Sequence, residues 1–254
     1  MAGHSKWANI KRQKAVVDSK RSKIFTKIAR DIIVAARTGL PDPEGNFQLR
    51  SAIDKAKAAG IPSENIERAI AKGAGTYEGS NRLESIRYEG YGPGGVAVLI
   101  EALTDKRTRT AADLRLAFSK NGGNLGETGC VSWMFEQKGV AIVAGEVDEE
   151  ALLEVSLEGG AESYELIDDA ESPGVEVFTE IENLELLSNT LKARGYGVRE
   201  VELRWIPGNF VEVMDLEQAQ QVLRLMDVLE DLDDVQTVTA NFEIPEPVLA
   251  EVMA

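Results

Sequence analysis

The sequence predicts an α+β multidomain protein: an all-α N-terminal domain followed by two α+β domains, the second of βαββαβ, ferredoxin-like order and inserted into the first. Three observations carry that expectation. The spacing of apolar residues switches from helical to strand period near residue 80. Residues 139–205 hold a complete βαββαβ pattern. Beyond residue 207 only one helix and one strand follow, and a lone αβ pair cannot bury itself. It must return to the ββαβ elements of residues 80–135. The expected domains are therefore 1–78, 79–136 with 206–254, and 137–205.

From Lys20, residues Ile24, Phe25, Ile28, Ile32, Ala35 and Ala36 recur at three- and four-residue spacing. Lys20, Lys23, Lys27, Arg30 and Arg37 fall on the opposite arc, so one helix has a core face and a basic face. Gly39 and Pro41 end it. A second helix carries Phe47, Leu49, Ile53 and Ala56 to Gly60, and a third opens at Pro62, carries Ile66, Ala69 and Ile70, and closes at Gly73. Ahead of them Trp7, Ile10, Val16 and Val17 suggest a weaker helix.

Strands Glu84–Tyr91 and 96–102 flank Gly92-Pro93-Gly94-Gly95 as a hairpin. A helix over 108–120 stops at Asn121-Gly122-Gly123, and residues 131–135 read as a further strand. In the inserted unit come strand 140–143, a helix opened by Asp148, strands 163–167 and 175–178, a helix opened by Asn183 and strand 198–205. Asp215 caps a helix over 216–229, with Gln218 three residues on, and strand 235–242 ends the pattern.

Charge is polarised along the chain. Residues 1–37 hold ten basic side chains against Asp18 and Asp31, a balance of +8, in a protein of net −15. Residues 38–75 and 76–138 are each neutral, and residues 139–254 hold 5 basic against 28 acidic side chains, a balance of −23. A basic end on an acidic protein is the footprint of a polyanion partner. An ordinary solvated helix face and an organelle transit peptide are the plain alternatives. The tryptophan and the helical pattern continuing to residue 75 speak against the transit peptide. The candidate contacts are Lys6, Trp7, Lys11, Arg12, Lys14, Lys20, Arg21, Lys23, Lys27 and Arg30. A second patch, Lys106-Arg107-Thr108-Arg109-Thr110, opens a helix, where N–H groups, Arg107 and Arg109 suit a phosphate and Thr108 or Thr110 can add a hydroxyl.

Other chemistries find little support. Gly90-x-Gly92-x-x-Gly95 matches the dinucleotide fingerprint, but a strand rather than a helix follows the glycines, so the hairpin reading stands. His4 is the single histidine, which removes most nucleophile–base pairs and zinc sites. Cys130 is single, so no intrachain disulfide forms, and it reads as a small buried thiol. The runs Asp148-Glu149-Glu150 and Asp231-x-Asp233-Asp234 read as solvated acidic faces rather than calcium loops. No apolar stretch spans a membrane and no secretory signal opens the chain. No enzyme, cofactor, metal or small-molecule substrate is expected.

The stretches Met1-Ala2-Gly3-His4-Ser5-Lys6-Trp7-Ala8-Asn9-Ile10-Lys11, Lys23-Ile24-Phe25-Thr26-Lys27, Glu89–Gly95, Thr104–Thr110 and Gly122–Gly126 make the sequence recognisable. It resembles the YebC family, bacterial proteins usually labelled probable transcriptional regulators. The mitochondrial relatives include the translational activator of cytochrome c oxidase subunit I. The resemblance runs essentially end to end. Cys130 stands where relatives often carry serine. It implies three domains, one α+β domain inserted in the other, and a non-enzymatic role in gene expression through nucleic acid. Bacterial members look like DNA-binding regulators. The mitochondrial branch and some bacterial relatives look like ribosome-associated factors, binding ribosomal or messenger RNA, that help translation through difficult stretches such as proline runs. Because the family motif begins at Met1, an unprocessed cytoplasmic protein is expected.

Overall fold

The computed structural model describes residues 21–77, 83–167 and 173–253. The segment bearing Trp7, Ile10, Val16 and Val17 lies outside them.

Three helices open the described chain: α1 (Arg21–Thr38), α2 (Phe47–Ala58) and α3 (Ser63–Gly73). Ile28, Ile32, Ile33, Ala35 and Ala36 of α1 pack with Leu49, Ile53, Ala56, Ile66 and Ala69. Ile24, expected in that core, is 38% exposed, whereas Phe25 packs partly buried against it. Asn46 fixes the turn between α1 and α2. Its Oδ1 accepts from the Leu49 N–H, and its Nδ2 donates to the carbonyls of Ala35 and Leu40 at 2.8 Å.

The next elements are β1 (Glu84–Tyr91), β2 (Ala97–Thr104), α4 (Arg107–Lys120) and β3 (Asn124–Leu125). Between β1 and β2 a short 3₁₀ turn spans Pro93–Gly95. Gly94 sits there at φ +70°, and a Cβ on it would meet Gln218 Nε2 at 1.5 Å. The glycines therefore make a hairpin turn packed against a later helix.

The strand expected at 131–135 is not there. Residues Ser132–Met134 form a 3₁₀ turn, and the strand begins only at Phe135. The cause is Glu89 on β1. Its carboxylate accepts from the N–H groups of Gly129, Val131 and Ser132 at 2.7–2.8 Å, taking the donors a ladder would use. The third strand is instead β3, paired to β1 at Gly90↔Leu125.

The inserted unit comprises β4 (Phe135–Ala144), α5 (Glu149–Glu158), β5 (Ala161–Ile167), β6 (Gly174–Thr179), α6 (Leu184–Ala193) and β7 (Val198–Pro207). Its sheet order is β5-β6-β4-β7, all neighbours antiparallel. That is the ferredoxin-like arrangement. Both helices cover one face, burying Leu152, Val155, Leu187 and Leu191 against Ala141, Val143, Val175 and Val177. Asp148 caps α5 as expected, accepting from Glu150 and Ala151 N–H. At α6 a 3₁₀ turn over Ile181–Asn183 precedes the helix, and the Asn183 side chain makes no cap.

The chain then returns through β8 (Val211–Glu212), α7 (Leu216–Glu230), β9 (Val235–Ala240), β10 (Phe242–Glu243) and α8 (Glu246–Met253). β9 pairs with β2, from Val98↔Ala240 to Ala102↔Val235, completing the sheet β3-β1-β2-β9. α4 and α7 cover one face, where Leu114, Phe118, Val222, Leu225 and Met226 meet Val96, Val98 and Ile100. Sequence periodicity did not foresee α8, a short helix whose Val248, Leu249 and Val252 pack onto the same core.

Candidate nucleic-acid interface

The basic arc of α1 is partly an internal docking face. Lys27 Nζ donates to the Glu230 carbonyl at 2.8 Å, and Arg30 donates to the Asp233 carbonyl with Asp234 Oδ1 at 3.6 Å. Glu230 is the last residue of α7, where carbonyls lack helical partners and the helix dipole is negative. Two cations from α1 therefore cap a helix end that carries its own carboxylates. Arg37, at the far end of α1, donates to the Leu83 carbonyl.

The patch at the start of α4 divides in the same way. Asp234 is its hub: Oδ2 accepts from Arg109 at 2.7 Å, from the buried Thr110 hydroxyl at 2.8 Å and from Thr104 at 3.1 Å. Arg109 also pairs with Asp105 at 2.9 Å. Burial acts to raise the Asp234 pKa, and these hydrogen bonds outweigh it, so the carboxyl stays below the usual range. The Asp231-x-Asp233-Asp234 run is thus no simple solvated face, and the Thr110 hydroxyl is already committed. Arg107 differs: exposed, it has Glu84 at 3.9 Å, too loose for a hydrogen bond. Lys106 and Thr108 are also exposed.

A second set of charges joins the helical domain to β7 and α6 of the inserted unit. Lys55 pairs with Glu200 at 2.7 Å, Ser51 Oγ donates to the Val201 carbonyl at 2.7 Å, and Arg50 pairs with Glu185 at 2.5 Å. Asp31 of α1 faces this group. Burial lifts its pKa to about 6; Lys55 opposes the rise, while Glu202 and Glu200 add to it.

Of the twelve expected contacts, Lys6, Trp7, Lys11, Arg12, Lys14 and Lys20 lie outside the described residues. Arg21 and Lys23 fall in the first turn of α1. Lys27, Arg30 and Arg109 meet internal acceptors, and Arg107 alone of the twelve is described as both exposed and loosely held. Sequence reasoning missed Glu89 and Asp234 as organising carboxylates. A glutamate on a strand beside two glycines, and an aspartate after a helix C-terminus, are the weak signals that could have marked them.

Glu89 has its pKa pushed up by burial and pulled down further by the three N–H bonds, for a net lowering. The loop it holds carries Cys130, which is half-buried, and burial raises the thiol pKa. That is the opposite of an activated nucleophile. Among the described residues no group of three His, Cys, Asp or Glu side chains is placed to hold a metal, and no helix is long and apolar enough to cross a membrane.

Comparison with known proteins adds a family. A model described as the TACO1/YebC protein N-terminal domain matches residues 5–76, and one described as the TACO1/YebC second and third domain matches residues 83–242. A probable transcriptional regulatory protein of Trichormus variabilis is 70% identical over 251 residues, covering 98% of each chain. One of the same description from Gloeothece citriformis is 68% identical over 255 residues, covering all of each. The crystal structure of a conserved hypothetical protein from Aquifex aeolicus superposes with a TM-score of 0.82 at 49% identity, covering 91% of this chain and 94% of that one.

Proposed function

This chain belongs to the TACO1/YebC family, and from that membership we propose that it is a non-enzymatic regulator of gene expression that binds nucleic acid through its basic N-terminal end. Relatives named as probable transcriptional regulators support a regulatory role. The observation that carries the binding mode is the polarity of charge: +8 over residues 1–37 against −23 over residues 139–254. A polyanion meets attraction at one end and repulsion at the other.

With Lys27, Arg30 and Arg109 engaged internally, the phosphate contacts fall to Lys6, Lys11, Arg12, Lys14, Lys20, Arg21 and Lys23, with Arg107 as an outlying contact and Trp7 as a stacking group. These are mostly point charges, so binding is largely independent of base sequence. If about five phosphates of duplex DNA are neutralised, log K falls with log[salt] at a slope near −4.5. Changing Lys11, Arg12, Lys20 and Lys23 together to Glu flattens that slope by about 3.5. Unchanged binding in that variant removes the proposal.

Point charges do not distinguish duplex DNA from ribosomal RNA, so the translation-factor reading rests on the same residues. Sedimentation with ribosomes on a sucrose gradient favours RNA. Recovery crosslinked to promoter DNA favours the transcriptional role.

A further inference from the structure

The two outer strands of the inserted sheet are β7 and β5. The helical domain covers β7 through Ser51 and Lys55. Along β5 no further strand pairs among the described residues. Packed against that open edge, α5 carries Leu153 and Leu157 one turn apart, 42% and 60% exposed. Leu166 of β5, 44% exposed, stands opposite Val175, which lies in the cluster under α5 and α6, so Leu166 points to the α5 side of the sheet. Tyr164 shares that side and donates to Glu149 at 3.0 Å, tying strand to helix.

A free ladder edge beside three exposed leucines is a surface of the kind that accepts an extended peptide as an added strand. Main-chain bonds provide affinity, and alternate side chains fill the apolar positions. Charge then selects the occupant. Glu150 and Glu154 lie on the outer arc of α5 with Leu153 and Leu157. β5 itself carries Glu162, which pairs with Lys138 at 3.0 Å, and Glu165, and residues 139–254 total −23. A second copy of this edge would bring its own Glu150, Glu154 and Glu165 alongside the first, which disfavours self-pairing. A polyanion is repelled for the same reason. We propose that the α5–β5 edge is a docking surface for an extended, lysine- or arginine-rich polypeptide segment with apolar residues at alternate positions.

The test uses the full chain and a capped, fluorescently labelled nine-residue peptide alternating Lys and Val. A control peptide has the same composition with its lysines grouped. The alternating peptide binds at least about tenfold more tightly by anisotropy, and amide exchange slows across residues 162–167 when it binds. Changing Leu153 and Leu157 together to Ser weakens binding about tenfold. Neither side chain belongs to the core cluster under α5 and α6, so the variant keeps its fold, and an unchanged circular-dichroism melt verifies this. Changing Glu150 and Glu154 to Gln weakens it two- to threefold and flattens its salt dependence. Equal affinity for the two peptides, protection elsewhere in the chain, or indifference to the leucine pair overturns the proposal. So does a self-association that the leucine change abolishes.

Discussion

Two seams hold the helical domain to the rest of the molecule, and their electrostatics run in opposite directions. At the first, Lys27 and Arg30 reach from α1 to the end of α7 and to Asp234, which Arg109 also engages from α4. The hydrogen bonds there keep the Asp234 carboxyl below its ordinary range. At the second, Asp31, Glu200 and Glu202 gather around Lys55, and Asp31 is pushed up to about 6. The difference teaches that a seam crowded with charges need not be cemented by them. One is strengthened by ionising its aspartate; the other is relieved by protonating it.

The sharpest way to break the comparison is Asp234→Ala. It leaves Arg109, Thr104 and Thr110 without their shared acceptor and costs about 2–4 kcal/mol of unfolding free energy by urea titration. A loss below about 0.5 kcal/mol would remove Asp234 as the hub beside the first seam. Next in size is Lys55→Met, which leaves the second seam with three carboxylates and no central cation. With the Lys55 side chain 42% exposed, it costs about 1 kcal/mol at pH 7.5 and less at pH 5, where Asp31 takes up a proton.

The smallest effect has the opposite sign. The folded pKa of Asp31 lies above its unfolded value of 3.8, so the folded state holds the extra proton between the two. Its contribution to stability therefore falls as pH rises from about 4 to about 6 and is flat above that. Asp234, with a depressed folded pKa, loses its contribution only as pH falls below the unfolded value. Both seams are satisfied near pH 5. Asp31→Asn is at least as stable as the parent at pH 7.5, and it removes about 1 kcal/mol of the gain the parent shows between pH 7 and pH 5. An undiminished gain in that variant assigns the pH dependence to other groups.

Helices and the order of the inserted unit were legible because their apolar spacing is a local property. The cap at Asp148 and the stop after Lys120 follow from it, and the return of the last strand to the first sheet follows from the need of a lone αβ pair to be buried. The turn at Ser132–Met134 was not legible, because Glu89, some forty residues earlier, decides which N–H groups the loop can spend. The candidate interface suffered the same limit. Periodicity placed Lys27 and Arg30 on one arc correctly, yet their acceptors are the backbone carbonyls of Glu230 and Asp233. A backbone carbonyl leaves no mark in a sequence. Thr104 to Thr110 stood out as a motif, and three of its members bond Asp234.

The pairing of β2 with β9 also orders events during synthesis. Val98 waits for Ala240, 142 positions later, before its strand is flanked on both sides. Until α7 emerges, the apolar face built from Val96, Val98 and Ile100 lacks half of its covering. The inserted unit, whose strand pairs all lie within residues 135–207, is complete well before that point. A chain made from its N-terminus thus finishes the interruption first and the interrupted domain last, and a stop before residue 216 strands an unpaired hydrophobic hairpin.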